Sequence, residues 1–207
     1  ISQIRNFMQD QILEVGAGCG SFTKSYMKKF KSITLTDLDN NSVKLLKKNF
    51  SKNENIKILS QTTGEIQERF NTIIYFNVLE HVKDDISEIN SALEKLNLGG
   101  YLIILVPAHQ KIYSKLDKAV GHYKRYDIDF FHNNKFKNSK IVRLRFLDFF
   151  GYFLYHFNKI FFKEEVFPSN FKIFVWDKIF TPFTVIMDFL TRYKFGKNIL
   201  CIYQKND

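Results

Sequence analysis

Little in this 207-residue chain can cross-link or stiffen it, since it holds only 2 cysteines, 3 prolines and 1 tryptophan. Cys19 and Cys201 form neither a ligand spacing nor a disulfide framework, so no metal site is expected and a reducing, cytoplasmic setting fits best. The longest greasy stretch, Phe146 to Phe162, is broken by Asp148, His156 and Lys159 and cannot span a bilayer as it stands. No signal peptide is visible, although the chain starts at Ile1. Repeats and low-complexity linkers are also missing. The length suits one sizeable core, read here as a single domain over 1–207.

Aromatics and positive charge are plentiful. There are 23 phenylalanines, and the net charge is +10. That charge is uneven: residues 1–100 carry 13 Lys and Arg against 12 Asp and Glu, and residues 101–207 carry 18 against 9. A basic second half suggests an acidic substrate, an anionic membrane surface or nucleic acid. A compositional bias toward Lys, Asn, Ile and Phe would produce the same excess without functional meaning.

The densest signal lies at Ile12–Gly20, I-L-E-V-G-A-G-C-G, where a short apolar strand runs into glycines spaced GxGxG. An amphipathic helix is expected next, over Ser21–Phe30, and Asp37 closes the following strand. Glycines let the backbone approach a ligand, a helix N-terminus favours negative charge, and a carboxylate can take ribose hydroxyls. A dinucleotide fold would place its third glycine at position 21, which is Ser21. The spacing therefore points to an adenosine derivative without a pyrophosphate. Further strands are expected at Asn55–Ser60, Thr72–Asn77 and Tyr101–Val106, with helices at Ser42–Phe50 and Asp85–Leu96 between them. Lys140–Asp148 alternates like a strand, Ile199–Gln204 would close the sheet, and two aromatic-rich helices over 149–163 and 171–193 would form a lid of about 149–194. The expected fold class is α/β. It is a doubly wound, Rossmann-like sheet of seven strands, mostly parallel, with an antiparallel last strand and a helical lid inserted before it.

These residues resemble the class I S-adenosylmethionine-dependent methyltransferases, and the resemblance runs through most of the chain. Ile12–Gly20 looks like the family's first motif and Asp37-Leu38 like its second. Asn77-Val78-Leu79-Glu80-His81-Val82 matches a signature of a small-molecule subgroup, and Leu98-Gly99-Gly100-Tyr101-Leu102-Ile103 is similar to its P-G-G-x-L-I turn. Pro107-Ala108-His109, Tyr113-Ser114, Leu116-Asp117 and Gly121-His122-Tyr123-Lys124-Arg125-Tyr126 resemble a bacterial branch with a G-H-Y-R-R-Y motif.

The resemblance implies S-adenosyl-L-methionine as cofactor, held by Glu14, Gly16, Ala17, Gly18, Gly20, Asp37, Leu38, Thr62 and Asn77. Within it, Asp37 takes the ribose, Leu38 rests against adenine, and Glu14 either orients the cofactor amine through water or is a strand-end carboxylate. Where many members carry an acid for the adenine amino group, this chain reads Ser60-Gln61-Thr62-Thr63. A threonine hydroxyl or a backbone group must serve there, giving up part of a charge-assisted bond. His81 and His122 are the candidate catalytic residues. Histidine has a suitable pKa for proton transfer near neutrality, yet His81 would equally cap a helix or pair with Glu80. His109, Tyr113, Tyr123, Arg125 and Tyr126 are candidates to line the substrate site, or to pin the lid to the sheet. Arg125 would suit a carboxylate or phosphate.

The implied activity is methyl transfer to an oxygen or nitrogen of a small acceptor, acidic or linked to lipid or glycan. A nucleotide-binding sensor or scaffold without turnover is the alternative. Nucleic-acid methylation ranks below both, because Asn77-Val78-Leu79-Glu80 stands where base-amino enzymes commonly carry N-P-P-Y. The aromatic helices leave peripheral membrane contact open, and oligomeric state is open too.

Overall fold

A computed structural model of the chain describes residues 1–153 and 181–206. Seven strands form one sheet: β1 (Ile12–Val15), β2 (Ile33–Thr36), β3 (Ile56–Leu59), β4 (Phe70–Phe76), β5 (Leu96–Pro107), β6 (Ser139–Leu147) and β7 (Asn198–Lys205). Their order is β3-β2-β1-β4-β5-β7-β6. Pairing is parallel from β3 through β5, and β7 runs antiparallel to both β5 and β6. The doubly wound sheet with an antiparallel final strand is therefore present. The described helices are α1 (Thr23–Tyr26), α2 (Asn40–Asn49), α3 (Asp85–Glu94), α4 (Lys115–Ala119), α5 (Ile128–Asn133) and α6 (Thr181–Leu190).

The period-two alternation of the central strands fills two cores, one per face. Leu13, Ile73, Tyr75, Leu102, Ile104, Ile199 and Cys201 meet α3 and α5 residues such as Ile89, Leu93 and Phe131. Ile12, Ile74, Ile103, Leu200 and Ile202 face the other way, against Tyr26, Leu46, Phe50 and the N-terminal Ile4 and Met8. Both faces of the parallel strands are thus covered, which is why these strands read as nearly unbroken apolar runs. Asp39 caps α2 by accepting from Ser42 N–H at 2.8 Å, and Asp84 caps α3 by accepting from Ser87 N–H at 3.1 Å.

Two expected boundaries shift. The first helix lasts only from Thr23 to Tyr26 before tightening into a 3-10 turn, Met27–Lys29. Within it the Ser25 hydroxyl donates to the Phe22 carbonyl at 2.5 Å, a local bond that competes with the helical ladder. The Gly99-Gly100 pair does not precede β5 but lies inside it. Pairing jumps from Phe70 with Leu96 to Thr72 with Tyr101, so the extra residues of β5 bulge at a glycine with φ +75°. Of the expected lid, residues 149–153 and α6 are helical, residues 191–193 form a turn instead of continuing the second helix because Arg192 and Tyr193 are left-handed, and 154–180 lie outside the described residues. On α6, Phe183, Val185, Ile186, Phe189 and Leu190 are all more than half exposed. No helix among the described residues is long and apolar enough to cross a membrane.

Gly20 sits where α1 leaves the β1 turn, at φ +76°, and a Cβ there would come within 2.2 Å of the buried Phe50 ring. Left-handed strain and overpacking add up. Gly20→Ala should lower stability by about 2–4 kcal/mol, read as a lower urea midpoint at unchanged slope.

Candidate active site

In an open α/β sheet a ligand lies beyond the carboxyl ends of the strands where the strand order reverses. Here β1 is flanked by β2 on one side and β4 on the other, so the reversal falls at the ends of β1 and β4. After Val15 the backbone enters the left-handed region at Gly16 (φ +65°) and again at Gly18 (φ +57°). The two glycines differ in what surrounds them. A Cβ on Gly16 would meet the Val78 side chain at 2.5 Å, whereas one on Gly18 would find nothing within 4 Å. Gly16 is thus a packing glycine that seats the turn against the end of β4, and Gly18 faces open space. The Gly18 N–H donates to Asp37 Oδ2 at 2.8 Å, and the Asp39 N–H donates to Asp37 Oδ1 at 2.9 Å. This fixes the half-buried carboxylate beside the turn with acceptor capacity to spare. Ala17 N–H bonds the Thr36 carbonyl at 3.1 Å, tying the turn to the end of β2.

The other cofactor candidates divide. Glu14 is buried, and its Oε2 accepts from Thr23 at 2.7 Å and from Tyr26 at 2.6 Å, so it clamps α1 to β1. Leu38 is 65% exposed at the cleft edge. Asn77 follows β4 at φ +54° and is exposed. Thr62 is exposed, and its N–H and hydroxyl both donate to Glu65 at 2.8 Å, which leaves only its lone pairs outward. Thr63 next to it is buried, joining the Tyr75 hydroxyl at 2.7 Å and donating to Glu88 at 2.7 Å, and so anchors the loop after β3.

On the acceptor side, the loop after β5 folds back over the turn that follows β4. The Tyr123 N–H donates to the Glu80 carbonyl at 2.7 Å, and the His81 and His122 rings meet edge to face with centroids 4.7 Å apart. Asp117 organises this loop. Its Oδ1 accepts from His122 Nδ1 at 2.8 Å and Arg125 Nε at 2.9 Å, and its Oδ2 accepts from the Ser114 N–H at 2.8 Å and hydroxyl at 2.9 Å. Burial pushes the Asp117 carboxyl up, but the hydrogen bond and charge of Arg125, with His122 and Ser114, outweigh it and hold the pKa below the ordinary range. His81 is shifted down by burial and by the neighbouring His122. Tyr113 contributes by donating its hydroxyl to the His122 carbonyl at 2.6 Å.

Three expected substrate-site residues do not line this cleft. Arg125 is 6% exposed, spent on Asp117 and on the Ala108 carbonyl at 3.3 Å, so it is not placed to meet a substrate anion. Tyr126 is 1% exposed, with its hydroxyl 2.7 Å from Asp85 Oδ2 and 3.0 Å from the Leu79 carbonyl. His109 is drawn toward the far edge of the sheet, where Nε2 lies 2.9 Å from the Gly196 carbonyl and the ring stacks on Phe146. All three pin the loop after β5. Tyr123, 60% exposed, remains at the mouth. Glu80 is the residue that sequence reasoning passed over except as a partner of His81. It is 1% exposed, and neither carboxylate oxygen has a hydrogen-bond partner.

The pattern of a family described as a methyltransferase domain matches residues 3–144. The chain belongs to that family. The class I, S-adenosylmethionine-dependent type expected from the motifs agrees with it. Among curated relatives, this methyltransferase is 30% identical over 119 residues to the ribosomal protein L11 methyltransferase of Staphylococcus aureus (strain MRSA252), covering 54% of the chain and 37% of that protein. The Staphylococcus haemolyticus protein of the same name is 29% identical over 127 residues, covering 55% and 40%. The matches thus span less than half of those relatives. Among solved structures, the N-methyltransferase NodS of Bradyrhizobium japonicum, in complex with S-adenosyl-L-homocysteine, aligns with TM-score 0.59 and 12% identity over 98% of this chain and 81% of that one. An S-adenosylmethionine-dependent methyltransferase of Clostridium acetobutylicum aligns with TM-score 0.63 and 14% identity over 100% and 89%. At such identities the likeness is one of fold.

Glu80 gives the methyltransferase a measurable signature. Burial pushes its pKa from the usual 4.5 up to about 7, only partly countered by the Arg125 charge. A carboxyl raised in the folded state binds a proton that the unfolded chain has released. Stability should therefore fall as pH rises from about 4.5 to about 7. Glu80→Gln should match the wild type near pH 4.5 and exceed it above pH 7 by on the order of 3 kcal/mol. Urea unfolding across that range in chelator-containing buffer checks this.

Proposed function

We propose that this methyltransferase transfers a methyl group to an oxygen or nitrogen of a small acceptor that enters beside His81, His122 and Tyr123. The observation that carries the reading is the contact of Gly16 with Val78, which sets the Gly18–Asp37 pair and the turn bearing Glu80 and His81 side by side. One end of that arrangement suits an adenosyl group: an open glycine, a fixed carboxylate for the ribose hydroxyls, and the exposed apolar Leu38. When bound, S-adenosylmethionine supplies an electrophilic methyl on a sulfonium. The chain's own residues then have to hold and align. Asp37 and the glycine turn fix one reactant, while His81 and His122 orient the other or take its proton. Alignment of this kind is worth roughly 7–11 kcal/mol of barrier, and a positioned base about 10²–10⁴-fold in rate.

The basic second half of the chain, 18 Lys and Arg against 9 Asp and Glu, supports an acidic acceptor or one carried on an anionic lipid or glycan. Arg125 is not the group that would meet it. Calorimetry with S-adenosylhomocysteine tests the cofactor half. Wild type should bind, Asp37→Ala should lose binding, and Gly18→Ala should fold with a cost of about 1 kcal/mol yet bind far more weakly. Undiminished affinity in Asp37→Ala would overturn the reading.

A further inference from the structure

We propose that Glu80, His81 and His122 form a site for a divalent first-row metal ion of the zinc class, with coordination positions left open for an oxygen of the acceptor. One ligand atom from each residue lies within 4.8 Å of the other two. The set is two imidazoles and one carboxylate. Imidazole nitrogen favours zinc and its neighbours over magnesium or calcium, which prefer oxygen ligands throughout. Three protein ligands with a free position are the usual makeup of a catalytic zinc site.

The surroundings point to a cation more strongly than the spacing does. Glu80 is only 1% exposed, yet neither carboxylate oxygen has a hydrogen-bond partner among the described residues. Such a group is costly to bury, and a bound cation would offset that cost. His122 Nε2 lies 3.9 Å from Oε1. That is too long for a hydrogen bond. Two atoms each about 2.0–2.2 Å from one zinc ion lie roughly 3.3–4.4 Å apart at angles between tetrahedral and linear, so this pair could share an ion at an open angle, and the three ligand atoms, within 4.8 Å of one another, would draw in on binding. The other face of His122 is also prepared. Nδ1 lies 2.8 Å from Asp117 Oδ1, which places the ring proton on Nδ1 and turns the Nε2 lone pair toward Glu80. A carboxylate behind the ligating histidine is the common outer partner of metal sites, and Asp117 is held in place by Arg125 and Ser114. Gly121, at φ +87°, leaves its Cβ position 3.7 Å from His81 Nδ1, so that side chain is not crowded out of the cluster.

Metal binding does not depend on the cofactor reading. Its use does rest on that reading, because an ion here would hold an acceptor oxygen and favour its deprotonated form, narrowing the acceptor to one that presents oxygen.

The test uses the full chain, stripped with chelator and freed of any affinity tag, titrated with Zn²⁺ alone and, for a spectroscopic signature, with Co²⁺. One equivalent should bind, with visible absorption from histidine-ligated cobalt. Glu80→Gln and His122→Ala should each weaken binding by more than about 10-fold, and Asp117→Asn by about 10–100-fold. If Asp117→Asn loses its circular dichroism, the near-isosteric Glu80→Gln decides. Lack of a one-equivalent site in wild type, or unchanged affinity in both Glu80→Gln and His122→Ala, would sink the proposal. Asp37→Ala should keep zinc binding while losing S-adenosylhomocysteine, so failure of either reading is seen without the other.

Discussion

Burial of the Asp117 carboxylate is the constraint around which the loop after β5 is built. A carboxylate 1% exposed must be met by donors on every side, and its donors come from three places along the loop: Ser114, His122 and Arg125. Meeting that demand closes the loop after β5 into a fixed shape and sets the tautomer of His122. The same closure brings the Tyr123 amide onto the Glu80 carbonyl and the His122 ring onto His81. Tyr126 fastens the other end through Asp85, whose carboxylate also pairs with Lys124 at 2.6 Å. A stretch whose sequence shows no helical or strand periodicity is therefore held by buried polar groups in place of a hydrophobic stripe.

The cofactor side obeys a different constraint, one of backbone shape. The turn after β1 must pass close to β4 and then leave space in front of it. Gly16 satisfies the first condition, with Val78 where a side chain would stand, and Gly18 the second. The two halves of the site are coupled through that one contact. Val78 belongs to the turn that presents Glu80 and His81, so a shift of the glycine turn moves the acceptor-side residues with it.

The sheet was legible in the sequence because apolar runs of four to seven residues between amphipathic helices have few other uses. The mostly parallel pairing followed from the alternation, whereas the order β3-β2-β1-β4-β5-β7-β6 is visible only in the structure. Asp37 and the glycines were legible for a related reason, since their chemistry is local to one turn. Arg125, Tyr126 and His109 were harder to place. A guanidinium, a phenol and an imidazole close together look the same on paper whether they face solvent or a buried carboxylate. Only the fold shows that Asp117 and Asp85 reach two of them and Gly196 the third. Glu80 failed as a signal for the opposite reason. The loop that closes over it, with His122 and Tyr123, is distant in sequence, and an acid between Leu79 and His81 reads as a surface residue until its burial is known.

Three departures from local rules lie along one line. Gly18 is left-handed with empty space before it, Asn77 is left-handed without being glycine, and Glu80 is a buried acid without a hydrogen-bond partner. They mark the end of β1, the end of β4 and the turn that follows. Elsewhere among the described residues, Gln11, His109, Asn138, Asp148, Arg192 and Tyr193 are also left-handed, and the buried Tyr203 hydroxyl also lacks a hydrogen-bond partner. Each departure costs stability, and packing alone would favour an ordinary residue at Asn77 and a neutral one at Glu80. What sets Gly18, Asn77 and Glu80 apart is their place at the reversal of strand order, where an open left-handed glycine beside an unpartnered buried acid leaves room and charge for a ligand.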